Sequence, residues 1–209
     1  VAIQIINVST LGSFKESIES MAGKASLAVT AGESGFAEDR LEVVKGVEGV
    51  THVVPMVQTT AYFAEDGKHT ESLVILGVDL LKESSVRTYK TTDEEVIDDP
   101  LVFLNQPDSV ILTKQFASLH GLNIDSKFKV ATAHGWRQLT VRGLLTPEGP
   151  AKAYGGSLAI MDIDGARMTF AKENKLDRID VVLKEGVNVY TAAAAIKSKV
   201  GSGFNIERP

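Results

Sequence analysis

The apolar positions of this chain change period several times, and each change marks an element. Leu11, Phe14, Ile18 and Met21 recur at three- and four-residue steps, and Val8, Ile5 and Val1 extend the period backward, predicting a helix within Val1–Ala25. Ser26–Ala31 is a compact apolar strand, closed by the loop Gly32-Glu33-Ser34-Gly35. In Phe36–Val57, Ala37, Leu41 and Val44 fall at i, i+4 and i+7, so a short helix with one apolar face is predicted. Glu38 and Asp39 suit the positive end of its dipole. Gly46 is the expected left-handed stop and Gly49 a second flexible point. Val50, Val53, Val54 and Val57 then open a strand to Phe63, in which Pro55 implies an edge position or a bulge. Asp66-Gly67 predicts a tight turn into a partner strand, Thr70–Val78.

Beyond Asp79 the pattern weakens. Leu80–Pro100 is polar, with an acidic cluster at Asp93, Glu94, Glu95, Asp98 and Asp99 that lacks the spacing of an EF-hand loop. A short strand follows at Val110–Leu112, then a brief helix from Thr113 with Phe116 and Leu119, ended by Gly121. Lys127–Ala133 and Gln138–Leu145 form a hairpin over His134-Gly135. After the Pro/Gly-rich loop Thr146–Gly156, mixed elements return. They are a strand at Ser157–Met161, a helix capped by Asp162 or Asp164, the strand Arg178–Leu183, a helix capped by Asn188 and a last strand at Phe204–Ile206. The expected class is α+β. The expected architecture is a split ferredoxin-like α/β subdomain made from residues 1–80 plus 156–209, with an inserted β-rich subdomain over 81–155.

Composition narrows the function classes. The 209 residues are 44% hydrophobic and 23% charged, with a formal net charge of −5. A nucleic-acid partner needs a basic surface to engage phosphates, so the acidic balance argues against one. There is no cysteine, which removes disulfides, thiolate metal sites and a cysteine nucleophile. No apolar run reaches the roughly 20 residues that span a bilayer. The chain opens inside the apolar stretch VAIQIINV, so it is expected to be a piece of a longer chain with membrane segments outside it.

Candidate chemistry is sparse. His52, His69, His120 and His134 show no ligand spacing. Ser34 lies in Gly-Glu-Ser-Gly, but Phe36 stands where a nucleophile elbow needs glycine, and the loop lacks the lysine of a phosphate-binding loop. Asp162, Asp164, Asp177 and Asp180 serve as caps or surface charges more simply than as a carboxylate cluster. No catalytic residue, cofactor or metal is therefore expected. Trp136 is expected to cover the core of the β-rich part. Pro147, Pro150 and Tyr154, in the Pro/Gly loop, are the candidate contacts for another protein, because an aromatic on a loop suits an interface anchor.

Taken in order, LGSFKESIESMAG, SLAVTAG, FAEDRLEVVKGVEGVTHVVPMV, VILGVD, SVILTKQFASLHGLNIDSKFKV, QLTVRGLL, GGSLAIMDIDGA and DRIDVVLKEG resemble the MacB-like periplasmic core domain of ABC transporter permeases. The resemblance covers essentially the whole chain and rests on the joint order of individually weak motifs. It implies a domain between the first two membrane helices of an inner-membrane permease, with a porter-like α/β subdomain that is discontinuous in sequence. It also implies a cytoplasmic ABC ATPase, a permease homo- or heterodimer partner, and a periplasmic adaptor or carrier. Such domains are not enzymes; they transmit ATP-driven motion for export, lipoprotein release or partner regulation. The alternative is a small soluble ligand-binding protein or enzyme with a ferredoxin-like core.

Overall fold

A computed structural model describes residues 25–65, 68–79, 96–97, 100–146 and 154–209. The helix expected within Val1–Ala25, most of the acidic cluster, and Pro147 and Pro150 lie outside these residues. The first part of the chain forms β1 (Leu27–Ala31), β2 (Phe36–Ala37), α1 (Arg40–Lys45), β3 (Val50–Glu65) and β4 (Lys68–Val78). The middle forms β5 (Val96–Ile97), α2 (Pro100–Asn105), β6 (Ser109–Thr113), α3 (Lys114–Leu119), β7 (Lys127–Thr132) and β8 (Gly135–Leu145). The last part forms β9 (Leu158–Asp162), α4 (Ile163–Phe170), β10 (Lys175–Leu176), β11 (Arg178–Leu183), α5 (Val189–Val200) and β12 (Phe204–Glu207).

Four strands pair in the order β12-β1-β11-β3, every neighbour antiparallel. With α1 after β1 and α5 after β11, and the two helices packed together, this is the split ferredoxin-like arrangement. Only β11 pairs with Val50–Pro55 among the described residues, so Pro55 occupies the edge position its missing N–H requires. The rest of β3 continues into a closed ring, β3-β4-β9-β6-β8-β7 and back to β3. The closing contact is short: Tyr62↔Ala131 and Phe63↔Val130. β4 and β9, which the sequence pattern places with the α/β part, hydrogen-bond inside this ring.

One continuous core runs from the α/β part, through Val44, Val181 and Ile196, into the ring, where Phe63, Leu73, Val130, Leu139 and Met161 fill the interior. Phe63 meets Phe116 of α3 edge-on at 5.6 Å between ring centres. A second cluster lines the other face of the wall, with Met56, Leu76, Val78, Leu158 and Ile160 beneath Phe103 of α2. The sequence pattern carries no expectation of α2, which is six residues long and buries Phe103.

Local signals explain most helix starts. The Thr113 hydroxyl accepts from Phe116 N at 3.3 Å, and the Asp162 carboxylate accepts from Asp164 N at 3.1 Å. Asn188 Oδ1 accepts from Tyr190 N and Thr191 N at 2.9 and 3.2 Å. Two expectations fail near α1. Phe36 and Ala37 pair with Leu176 and Lys175 in a separate two-strand ladder, so Ala37 is not on the helix face and α1 starts at Arg40. Gly46 has φ −79, whereas Gly49, at φ +87, takes the left-handed turn, because the chain winds through Val47 and Val50 before reversing.

Candidate functional site

The junction between the four-stranded sheet and the ring is a polar cluster on an apolar frame. The Asp177 carboxylate accepts from Gln58 N at 2.9 Å and from Lys172 Nζ at 2.5 Å. Lys172 Nζ also donates to Gln58 O at 3.2 Å, and Asp177 N donates to Met56 O at 3.0 Å. Both charged side chains are largely buried, at 16% and 12% exposure, and each is the other's ion-pair partner. Around them, Arg167 of α4 pairs with Glu38 at 2.9 Å, and Lys175 Nζ donates to Ser34 O at 3.2 Å. The sequence motif around Ser34 thus serves as an anchor point. Gln58 stands next to Val57 at the middle of β3, so the cluster clasps the strand where it passes from sheet to ring.

A second cluster closes the start of β9. Ser157 Oγ donates to Glu71 Oε1, and His120 Nε2 donates to Glu71 Oε2 at 3.0 Å. The His120 ring packs on Phe63 and Phe116, at 4.2 and 4.5 Å between centres. Thr113 Oγ1 donates to Gly156 O beside it. The histidine and serine both address the carboxylate rather than each other, so no nucleophile–base pair exists here. The Ser157 hydroxyl, and then His120, hold the Glu71 carboxyl below its ordinary value of 4.5, against the opposing effect of burial. A group whose folded value is lowered stabilises the fold above its unfolded value, and that stability is lost as pH falls through the folded value. Glu71→Gln is therefore expected to lower the denaturant midpoint at neutral pH and to flatten its fall below about pH 4.5. Equal pH slopes for the two proteins would show that the carboxylate has no such role.

The other sequence candidates separate. Asp162 caps α4, Asp164 pairs with Arg167 at 3.2 Å, and Asp180 pairs with Arg178 at 2.6 Å. With Asp177 in the junction, the four aspartates do not converge. Among the described residues no group of three or more His, Asp or Glu side chains could hold a metal ion. Tyr154 is half-buried and packs against the outer cluster. Trp136 does not cover the core as expected; it is 50% exposed on β8. The junction cluster was not legible in the sequence, because Gln58 lies more than a hundred positions from Lys172 and Asp177.

No helix among the described residues is long and apolar enough to cross a membrane. The model of the MacB-like periplasmic core domain family matches residues 1–199. An uncharacterized ABC transporter permease protein of Mycobacterium tuberculosis is 24% identical over 208 residues, spanning 99% of this chain and 23% of that protein. The chain is thus similar to about a quarter of its relative's length. The fold is shared with the extracellular domain of the noncanonic ABC-type transporter YknZ from Gram-positive bacteria, with TM-score 0.55 and 16% identity, covering 88% of this chain and 100% of that one. It is also shared with the periplasmic region of MacB from Actinobacillus actinomycetemcomitans, with TM-score 0.54 and 11% identity, covering 89% of each chain. Such a family is one of transporter domains rather than of catalytic enzymes. The family model alone covers most of the sequence, and the chain belongs to the MacB-like periplasmic core domain family.

Proposed function

We propose that this domain is the extracytoplasmic part of an inner-membrane ABC transporter permease and works as a mechanical transmitter. It passes the motion of membrane helices, driven by a cytoplasmic ATPase, to export, lipoprotein release or the control of a partner. The observation that carries this role is β3. Its 16 residues belong first to the α/β sheet and then to the ring, about 50 Å of continuous backbone. The Lys172–Asp177 pair clasps it at the crossing. A natural division of the domain falls at that crossing, near Met56.

The ends of the sheet support the same direction of transmission. Ala28 lies opposite Glu207, so the segments entering β1 and leaving β12 run side by side. Leu27 is level with Val181 and Val53, at the end of the sheet away from the ring. Force applied there travels along the sheet and through β3 into the ring, where an adaptor or carrier would receive it. A second permease copy, identical or related, supplies the opposing lever.

This domain has no cysteine, so single labels can be placed in it once any cysteine elsewhere in the permease is replaced. In the full permease reconstituted with its ATPase, spin labels at exposed Thr51 and Gln138 are expected to keep their distance within one domain through the ATP cycle. The distance between the Gln138 labels of two copies is expected to change. A change confined to the distance within one domain would overturn rigid transmission.

A further inference from the structure

Strand β8 carries a cation at an inward position. Leu139 and Val141 lie on the same face of the strand as Arg137, and both are fully buried in the ring. Val130, paired with Arg137 across the hairpin, is fully buried as well. A guanidinium on an apolar face is costly unless its donors find acceptors. Arg137 Nε donates to Thr169 O at 2.7 Å, and Nη1 donates to Trp136 O at 3.0 Å. Thr169 is the last residue but one of α4, so its carbonyl has no partner within the helix and sits at the negative end of the helix dipole. An apolar position of the strand is thus given up to reach the helix.

Helix α4 is held on two flanks. It packs on β3, β4 and β9 and contributes Ile163, Ala166 and Phe170 to the common core. Toward the four-stranded sheet, Arg167 pairs with Glu38 at 2.9 Å, and Lys172, just past the helix end, donates to Gln58 O at 3.2 Å. Toward the far wall of the ring, Thr169 Oγ1 donates to Pro107 O at 2.8 Å, just ahead of β6. Gly165 permits this approach, since a Cβ there would lie 3.2 Å from the same carbonyl oxygen. The helix therefore reaches from the junction to the entrances of β6 and β8.

The β7–β8 hairpin has little strand pairing to fix it. β6 pairs with β8 from Thr140 onward, so among the described residues 135–139 have β7 as their strand neighbour. β7 in turn meets β3 over two pairs. We propose that α4 ties this hairpin to the junction, and that Arg137 is the positioning residue at the tie. The inference deepens the transmitter reading and rests on it for the use of the tie. Motion arriving at Lys172 and Asp177 crosses the ring along α4 and keeps the hairpin in step, without passing strand by strand around the wall.

The test uses the full permease reconstituted with its ATPase. Arg137→Met keeps an apolar stem and removes the donors, whereas Arg137→Lys keeps a cationic donor for Thr169 O. Without nucleotide, hydrogen–deuterium exchange of residues 127–139 is expected to quicken on the order of tenfold in Arg137→Met, while β1 and β11 exchange as in the parent. Spin labels at exposed Thr51 and Ala133 of one domain should keep one narrow distance distribution in the parent through the ATP cycle. That distribution should broaden in Arg137→Met. Arg137→Lys is expected to restore both the slow exchange and the narrow distribution. Unchanged exchange in Arg137→Met, faster exchange in every strand, an unbroadened distribution, or no recovery with lysine would overturn the proposal. A parent whose Thr51–Ala133 distance changes through the cycle would defeat rigid transmission instead, and the exchange, read at rest, would still decide the tie.

Discussion

Gly77→Val is expected to destabilise the domain by about 3 kcal/mol, because there is no room for the added side chain. Gly77 lies on β4 where α4 crosses the sheet. A Cβ placed there would sit 2.5 Å from the Ala166 Cβ, 3.2 Å from the Val57 Cβ and 3.4 Å from the Ile163 Cα. Ala166 is fully buried and belongs to the helix, and none of the three contacted atoms is a flexible tip that could swing away. The helix would have to lift, opening the core beneath it. Gly77→Ala already adds the offending atom and is expected to cost about half as much as valine. Ala166→Gly in the same chain removes the clash, at a helix cost of about 1 kcal/mol. Urea denaturation of the two single variants and the double variant forms a cycle in which the double should recover part of the loss. A Gly77→Ala protein as stable as the parent would show that the helix is not seated this closely.

Asp177→Ala is expected to cost about 3 to 5 kcal/mol, the range for removing one member of a buried ion pair. The change strands the Lys172 ammonium, which is 16% exposed, and takes the acceptor from Gln58 N. Replacing both charges by apolar side chains should not restore stability fully, since the N–H and C=O of Gln58 would both lose a partner. Asp177→Asn keeps an acceptor for Gln58 N and should fall between the parent and the alanine variant. Chemical denaturation orders the three proteins. In the complete permease the alanine variant is expected to keep ATP hydrolysis while losing the work done outside the membrane. Retained transport in a folded Asp177→Ala protein would count against the junction as a transmitter.

The parts of the fold that were legible in the sequence depend on near neighbours. Asn188, Asp162 and Thr113 each cap a helix through a bond to a residue two or three positions away, and their identity announces it. The strands Leu27–Ala31, Val50–Glu65 and Arg178–Leu183 follow apolar runs, and the split α/β order follows from the sequence of elements. Ring closure was not legible. Tyr62↔Ala131 joins residues that no local pattern links, and the pairing of Phe36 with Leu176 is equally remote. That remote ladder explains the error at Ala37, since two residues of pairing outweigh a helix period of one turn. The same holds for function. Of the three candidate contacts only Tyr154 is described, half-buried against the outer cluster that contains Phe103, a packing that no residue near it in sequence announces.

The edge-to-edge partnership of β1 has a consequence for how the domain is made. β1 is sandwiched between β11 and β12, strands that leave the ribosome about 150 residues or more after it. At roughly 5 to 20 residues per second, β1 waits on the order of ten seconds or longer for either neighbour. During that interval Leu27 and Val29, both fully packed at the end, belong to a nascent strand with two open edges. Folding during synthesis is thereby denied to the α/β half, which must be completed last by residues 178–207. A circular permutant that places β11, α5 and β12 ahead of β1 would remove the delay, and should yield more soluble protein from the same translation rate.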